Sequence, residues 1–264
     1  MAKLLKVVGK TELNKPVLLA GWPGMGHVAL KILLFLHEAL RAQDLAVLER
    51  PEFFQVAGVT IQNGVIQATL PPRSGFYYWK RKGPSPTGDL LLFIGDQQPV
   101  PGKEYELAKA LLAFSRSYGV EEVFTAAAMP SSINHYQESR VWVTATETDL
   151  LNQLSPYCHR VLNEGHVSGM NGLLLGVAKQ QGMRGACFLG EIPFYTTEIE
   201  NPKASMAVLQ VLSKVLHLKL NLEELEELAQ HTEKEIDRYL LALEQREKEE
   251  EKQANEPEGP VTVH

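Results

Sequence analysis

Short apolar runs alternate with amphipathic segments along most of the chain. In the central stretch, Asn163–Pro193, a glycine-containing loop precedes an apolar run at Leu173–Ala178, and Gly182 stands where a helix would end. Ala186–Leu189 is then a continuous apolar run between two glycines, which predicts a strand buried on both faces. The stretch is therefore predicted to fold as loop, helix, tight turn, buried strand and loop.

The same alternation predicts the other core elements. Apolar runs predict strands at Pro16–Ala20, Asp89–Asp96, Val120–Ala127, Val141–Ala145 and Cys158–Leu162, and helical periodicity predicts helices at Val28–Ala42, Pro101–Ser117, Glu147–Leu154 and Pro202–His217. Strands that alternate with helices in this way are typical of a parallel sheet. The sequence therefore predicts an α/β fold with a largely parallel sheet.

Two segments depart from the alternation. Val56–Leu70 is predicted to form a hairpin that makes the sheet mixed, because Asn63-Gly64 favours a type I′ turn. A strand with four consecutive aromatic residues follows, predicted at the sheet edge with half of them facing the core: Phe76, Tyr77, Tyr78 and Trp79. An exposed aromatic patch more often contacts a protein partner than a ligand, so these four are candidate interface residues.

A long helix is predicted from Asn221 to Lys252, beyond an α/β core domain of residues 1–220. One face carries residues at alternating spacings of four and three, which is typical of a coiled-coil seam: Leu225, Ala229, Thr232, Ile236, Tyr239 and Leu243. Such a seam needs cover, either from the α/β body or from a second copy, and Ile236, Tyr239 and Leu243 are candidate interface residues. Residues 253–264 contain Pro, Gly and Glu and are predicted to be disordered.

Composition narrows the class of protein. With 264 residues, of which 44% are hydrophobic, the chain can bury one large core. The net charge of −6 argues against nucleic acid as the main partner, because phosphate contacts need clustered Lys and Arg. No run is long enough to span a membrane, and Met1–Val8 is too short for a signal peptide. Cys158 and Cys187 lack metal-ligand spacing and fit a reducing compartment, so we expect a soluble cytoplasmic protein without metal or other cofactor.

Polar residues that follow predicted strands are the candidate catalytic residues. Glu191 follows the buried strand of the central stretch, and Asn134, His135 and Glu138 follow the strand before it. Open α/β sheets bind ligands outside the carboxyl ends of their strands, and a Glu with a nearby His suffices for general acid–base chemistry. No nucleophile elbow or metal-ligand cluster accompanies these four residues, so no catalytic role is assigned to any of them.

Two glycine-containing loops are candidates for ligand binding. The first follows the strand at Pro16–Ala20 and precedes a helix, an order that suggests a phosphate cradle, but its spacing matches neither GxGxxG nor a P-loop. Close packing of strand against helix explains it more simply, and His27 fits a capping or interface role better than a catalytic one. The candidate residues of the two loops are Gly24, Gly26, His27, Ser168, Gly169, Asn171 and Gly172.

Together the loops resemble those of a known family. Gly21–Ala29 resembles the first glycine loop of the proteasome assembly chaperone 2 family, and Gly165–Leu174 resembles the second. Gly182–Glu191 and Asn201–Ala204 are similar to later blocks, and the resemblance covers about Val17–Leu228. It implies a three-layer α/β/α sandwich of the phosphorylase/hydrolase-like type, with the C-terminal helix as an extension.

The resemblance also implies a function. Eukaryotic members of the family chaperone assembly of the proteasome α-ring, and archaeal relatives bind proteasomes and form homo-oligomers. We therefore expect a non-enzymatic assembly or scaffolding factor that contacts proteins, proteasome subunits among them, and self-associates; a small-molecule hydrolase- or transferase-like enzyme is the alternative. Some chaperones of this class dock through a C-terminal hydrophobic–Tyr–any-residue motif. Val261–His264 has no penultimate Tyr, so docking of that kind is not expected.

Overall fold

The chain forms a large sheet with helices on both faces, as a computed structural model that describes residues 5–55, 58–67 and 72–254 shows. In chain order the strands are β1 (Leu5–Val7), β2 (Val17–Gly21), β3 (Gln43–Leu48), β4 (Ile61–Gln62), β5 (Val65–Ile66), β6 (Gly75–Trp79), β7 (Leu90–Ile94), β8 (Glu122–Ser131), β9 (Val141–Ala145), β10 (Arg160–Val161) and β11 (Arg184–Pro193). The helices are α1 (Val28–Ala39), α2 (Glu104–Ser117), α3 (Thr148–Leu154), α4 (Gly169–Gln180), α5 (Pro202–Val215) and α6 (Glu223–Ala254). The predicted core strands and helices are all present, with ends that differ by a few residues.

The sheet is mixed and has nine strands within the described residues, in the order β1-β3-β6-β7-β2-β8-β11-β9-β10. The four central strands, β7, β2, β8 and β11, run parallel. On one side β6 is antiparallel to β7, and on the other β9 is antiparallel to β11. The predicted α/β class is confirmed, and the parallel centre aligns the carboxyl ends of four strands at one edge.

Each face of the sheet packs against its own layer of helices. On β2, Leu19 joins the core shared with α1, α3 and α5, whereas Leu18 joins the core shared with α2 and α4. On β11, Phe188 and Cys187 face these two cores in the same order. Because side chains alternate between the faces of a strand, burial of both faces requires the continuous apolar runs seen in the sequence. The three predicted layers are therefore confirmed.

The hairpin is present but does not belong to the large sheet. Asn63 and Gly64 have positive φ angles of 52° and 78°, as a type I′ turn requires. Within the described residues, the strands that they connect pair only with each other, so the prediction that the hairpin makes the sheet mixed is wrong. The antiparallel strands β3, β6 and β9 do so instead. Parts of the predicted hairpin, residues 56–57 and 68–70, lie outside the described residues.

The aromatic strand β6 is not at the sheet edge. It lies between β3 and β7, because β1 and β3, which were not predicted, extend the sheet beyond it. Phe76 is completely buried against Phe93 and Phe114, so it cannot be part of an exposed patch. Tyr77, Tyr78 and Trp79 are partly buried, and their role at an interface stays a prediction.

Helix α6 packs along α5 through its first half. The predicted seam is buried in that half and more exposed beyond it. Leu225, Ala229 and Ile236 are buried within the chain, and Ile236 is only 3% exposed, so it is not available to a partner. Tyr239 is 54% exposed and Leu243 is partly buried. The helix runs to Ala254, two residues into the predicted tail, and the remainder of that tail lies outside the described residues. The division into a core domain, a helix and a tail stays a prediction.

Candidate functional site

Three of the four candidate catalytic residues meet beside the carboxyl ends of β8 and β11. Glu191, His135 and Asn134 line a cavity of about 20 Å³, which we call the Glu191 cavity; Glu138 is exposed and does not line it. The volume is that of about one water molecule. Glu191 is only 6% exposed, and among the described residues its Oε2 atom has no hydrogen-bond partner. The structure thus brings together three of the four residues that the sequence placed after strand ends, around a space with room for about one water molecule.

The Glu191 cavity is small because α6 covers it. Ala229, Thr232, Glu233 and Ile236 project from that helix and line the cavity on the side opposite the strand ends. Apolar burial holds the helix down, since Ala229 and Ile236 are both buried. A crevice that would be open at the sheet edge is thus covered by the chain's own C-terminal helix.

Polar contacts of His135 attach α6 to the body. The Tyr195 hydroxyl accepts the backbone N–H of His135 and lies 2.7 Å from its Nδ1, while Nε2 lies 2.9 Å from Asp237 Oδ1 on α6. This pattern fits a ring that donates from Nε2 and accepts at Nδ1. Hydrogen bonds from the Tyr136 hydroxyl, and then from His135, lower the pKa of Asp237. Both ring nitrogens are therefore occupied by partners within the chain.

A second ionic contact lies beside the first. Lys203, in the first turn of α5, pairs with Glu233 of α6 and donates a 2.7 Å hydrogen bond to the carbonyl of His135. Asn134 has a local role, because its Oδ1 accepts the backbone N–H groups of Tyr136 and Gln137 and so closes the turn after β8. These polar side chains thus hold α6 and the loop through contacts within the chain.

The two glycine loops border a larger space. Gly24, Ser168, Gly169 and Asn171 line a cleft of about 340 Å³, which we call the glycine-loop cleft. The remaining lining residues are Pro23, Met25, Ala29, Gln98, Ala127, Ala128, His166, Val167 and Leu189. The cleft lies where α1 and α4 begin, above the carboxyl ends of β2 and β8.

Two side-chain amides fix the geometry of this cleft. Asn171, which is buried, accepts the backbone N–H of Trp22 at 3.0 Å and donates to the Trp22 carbonyl at 3.3 Å. Gln98 donates to the Pro23 carbonyl at 2.6 Å and accepts the N–H of Met170 at 3.1 Å. The two loops are thus joined through hydrogen bonds to backbone groups. Gln98 is not among the residues predicted from the sequence. It follows the buried strand β7, however, just as Asn134 follows β8, so the same pattern could have identified it.

Three candidate loop residues do not line the glycine-loop cleft. Gly172 allows α4 to lie close to the loop before it, because a Cβ atom there would be 1.9 Å from the Val167 carbonyl oxygen. Gly26, with φ of +60°, exchanges backbone hydrogen bonds with Thr197 and Asn201 before α5. His27 occupies the N-cap position of α1 without a side-chain capping bond, and its Nδ1 lies 3.7 Å from Glu200.

Close packing, rather than a phosphate cradle, accounts for the glycine at the end of β2. A Cβ atom at Gly21 would lie 2.9 Å from the carbonyl oxygen of Ala29 in the first turn of α1 and 2.8 Å from the Leu33 side chain. Only glycine permits this approach of strand and helix. Close packing of strand against helix is therefore confirmed for Gly21, and a ligand role of the remaining loop residues stays a prediction.

Comparison with known proteins identifies the family. The model of the PAC2 family matches residues 18–240. The chain belongs to the PAC2 family. The resemblance inferred from the glycine loops is thereby confirmed.

Among PAC2-like structures, this chain is similar to PbaB of Pyrococcus furiosus, described as an archaeal proteasome activator. The two share 29% identity with a TM-score of 0.77, over 89% of this chain and 97% of the other. A PAC2 family protein from Streptomyces avermitilis is 23% identical with a TM-score of 0.71, over 84% and 95% of the two chains, and supports the fold alone. The uncharacterized protein MJ1210 of Methanocaldococcus jannaschii is 27% identical over 244 residues, which are 90% of this chain and 89% of its own length.

Three further features bear on the chemistry of this PAC2 protein: its cysteine thiols, its possible metal ligands and the hydropathy of its helices. Burial raises the pKa of Cys187 to about 12 and that of Cys158 to about 11, so both thiols are protonated at neutral pH and neither is an activated nucleophile. Over the described ranges, no cluster of three or more His, Cys, Asp or Glu side chains is placed to hold a metal ion. None of the helices in that part of the chain is both long enough and apolar enough to cross a bilayer.

Proposed function

We propose that this PAC2 protein is a proteasome assembly or activation factor that acts through protein contacts rather than catalysis. The observation that carries the proposal is the likeness to the archaeal proteasome activator PbaB over nearly the whole of both chains. The likeness includes most of the chain, so it supports a shared mode of action and not only a shared core. The cytoplasmic location expected from the sequence stays a prediction.

The contacts that the polar residues of the Glu191 cavity already make within the chain support a role without catalysis. Both ring nitrogens of His135 are bound by Tyr195 and Asp237, and the cavity beside Glu191 has room for about one water molecule. A general acid or base must come within hydrogen-bond reach of its substrate, and here α6 occupies that position. These residues are better suited to holding a helix than to turning over a substrate.

Exposed apolar side chains supply surfaces for protein contact. The β4–β5 hairpin carries four of them, all solvent-exposed: Val59, Ile61, Val65 and Ile66. The outer half of α6 carries Tyr239 and Leu241, which are 54% and 58% exposed. Clusters of this kind on a protein surface commonly mark contact sites. We propose the hairpin as the contact with the proteasome and the outer half of α6 as the contact between copies of this chain.

Direct binding tests the proteasome contact. The purified chain and the 20S proteasome of the same organism would be mixed and examined by native mass spectrometry, with fluorogenic peptide hydrolysis as a functional measure. We expect a complex with the wild type, weaker binding for the Ile61→Asp, Ile66→Asp variant, and unchanged binding for the control Gln62→Asp on the same hairpin. A wild type that neither binds the proteasome nor alters its assembly contradicts the proposal.

A test of self-association needs a variant that disrupts the contact between copies but leaves the fold intact. Substitution of Ile236 would disrupt the contact between α6 and the body, whereas Tyr239→Asp with Leu241→Asp changes only exposed positions. We expect multi-angle light scattering to show an oligomer for the wild type and a smaller, folded species for the double variant, with Arg238→Asp as control. If the wild type is monomeric at micromolar concentration, self-association through α6 is wrong.

The alternative is a hydrolase- or transferase-like enzyme, and one observation favours it: Glu191, His135 and Asn134 do line one cavity. Catalysis there would require α6 to move away. Thermal-shift measurements with nucleotides, nucleosides and acyl compounds test this, because a ligand at about a hundred times its Kd adds roughly 2.7 kcal/mol of stability. A compound that stabilises the wild type but not Glu191→Gln would support the enzyme.

A further inference from the structure

The glycine-loop cleft has the dimensions and lining of a small-molecule site. Its volume of about 340 Å³ is within the range of roughly 300–1,000 Å³ that such sites occupy. Ala29, Ala128 and Leu189 form a buried apolar floor, whereas Ser168 and His166 are exposed at the rim. The space exists because β8 carries alanines where the strand reaches the cleft, and larger side chains there would fill it.

The rim offers unused hydrogen-bonding groups and no fixed charge. None of the lining residues is Lys, Arg, Asp or Glu. The Ser168 hydroxyl and the His166 ring have no hydrogen-bond partner among the described residues, whereas Gln98 and Asn171 are engaged with the backbone of the loops. The groups left to meet a ligand are therefore a hydroxyl and an imidazole, both of which can donate a hydrogen bond.

The walls of the cleft are held in place before any ligand binds. Asn171 and Gln98 fix the first loop to the start of α4, and Gly172 keeps that helix in contact with the Val167 carbonyl. A preformed site loses less conformational entropy on binding than a flexible one. The cleft can therefore bind a compact ligand without rearrangement of either loop.

We propose that the glycine-loop cleft binds a small molecule with a hydrogen-bond-accepting head group, a carbonyl or carboxylate, on a compact apolar body. The body contacts Ala128 and Leu189, and the head group accepts hydrogen bonds from Ser168 and His166 at the rim. A cationic head group is disfavoured, because the cleft lies where α1 and α4 begin and the N-terminal ends of helices carry partial positive charge. This site is separate from the hairpin and from α6, and it does not depend on the proposed contact with a proteasome.

A matched series of probes tests the head group. Phenylacetate, phenylacetamide and phenethylamine share an aromatic body and differ in the head group, and saturation-transfer NMR with the full chain reports their binding at millimolar concentration. We expect phenylacetate and phenylacetamide to bind and phenethylamine to bind about tenfold more weakly or not at all. Equal binding of all three contradicts the proposed head-group chemistry, and if none binds the proposal is wrong.

Variants at the mouth of the cleft test the location. Gly24 is exposed, its φ of −165° suits any residue, and the nearest atom to an added Cβ is Asn171 Nδ2 at 3.8 Å. Gly24→Leu should therefore fold and block the cleft, reducing probe binding about tenfold or more. Gly176→Leu, on an exposed face of α4 with open space around it, is the matched control and should bind like the wild type. Binding that survives in both Gly24→Leu and Ala128→Leu overturns the assignment to this cleft.

Discussion

The Glu191 cavity and the glycine-loop cleft lie at the same edge of the central sheet, yet they differ in size and in chemistry. The first is about 20 Å³, is lined by Glu191, His135 and Asn134, and is covered by α6. The second is about 340 Å³, has no Asp, Glu, Lys or Arg in its lining, and is bordered by glycines and alanines. At this edge, His135 and Lys203 bind residues of α6, whereas the small side chains of the glycine-loop cleft leave space.

The difference shows why residue type alone does not locate a ligand site. A Glu and a His at strand ends suggest chemistry, but their hydrogen-bonding capacity can be used by a packed helix, as Asp237 uses His135. A cleft large enough for a ligand requires small residues in its lining, such as Gly24 and Ala128. The following variants test each half of this comparison.

The largest expected effect is loss of the cover over the Glu191 cavity. Ile236→Ala removes a buried side chain that packs α6 against the body, and truncation of a buried Ile to Ala costs about 2–5 kcal/mol. Hydrogen exchange of the α6 amides should speed up accordingly. Leu241→Ala, at a 58% exposed position of the same helix, should leave exchange unchanged; equal effects of the two variants would mean that Ile236 does not fasten the helix.

A smaller effect is expected for the wall of the glycine-loop cleft. Gly172→Ala would place a Cβ atom 1.9 Å from the Val167 carbonyl oxygen, so the backbone must shift, at a cost of about 1–3 kcal/mol in the free energy of unfolding. The control Gly176→Ala, in the same helix with open space around it, should instead stabilise the protein by up to about 1 kcal/mol. Denaturant unfolding measures both, and the same sign for the two variants would contradict the close contact at Gly172.

Replacement of Glu191 by Gln tests the cost of the buried carboxylate. Its Oε2 has no hydrogen-bond partner among the described residues, and a neutral amide is less costly to bury than an unpaired charge. We expect Glu191→Gln to raise the free energy of unfolding at neutral pH by about 1 kcal/mol. A loss of stability would indicate that the carboxylate has a favourable partner in the folded protein.

The smallest effect concerns the pH dependence of the α6 contact. The pKa of Asp237 is lowered, first by the Tyr136 hydroxyl and then by His135, so the folded state favours the ionised carboxylate. The resulting stabilisation is present above the ordinary Asp pKa of about 3.9 and is lost as the pH falls through the lowered value. Wild type and Asp237→Asn should therefore differ in unfolding midpoint at pH 6 and converge in acid. A difference that is constant with pH would contradict this.

Local patterns in the sequence predicted the core, but not the contacts between distant segments. The continuous apolar run of β11 identified a strand buried on both faces, whereas Gln43–Leu48 begins with two polar residues and was missed as a strand. That omission placed Phe76 at an edge. The cover of the Glu191 cavity depends on the pairs Lys203–Glu233 and His135–Asp237, and in the second pair the residues are 102 positions apart. No periodicity encodes such a pairing, so the sequence could not show that α6 occupies the predicted crevice.

Asp237 lies where α6 leaves the body of the protein, so a motion of the helix about this point is amplified toward its C-terminal end. It is the last residue of the helix with a hydrogen bond to the body among the described contacts, and the helix continues from there to Ala254. Those seventeen residues span roughly 26 Å at 1.5 Å per residue. A slight tilt about the contact with His135 becomes a displacement of several ångströms at the tip. A force applied to the tip by a bound partner would, conversely, act on the contacts of Asp237 with His135 and Tyr136.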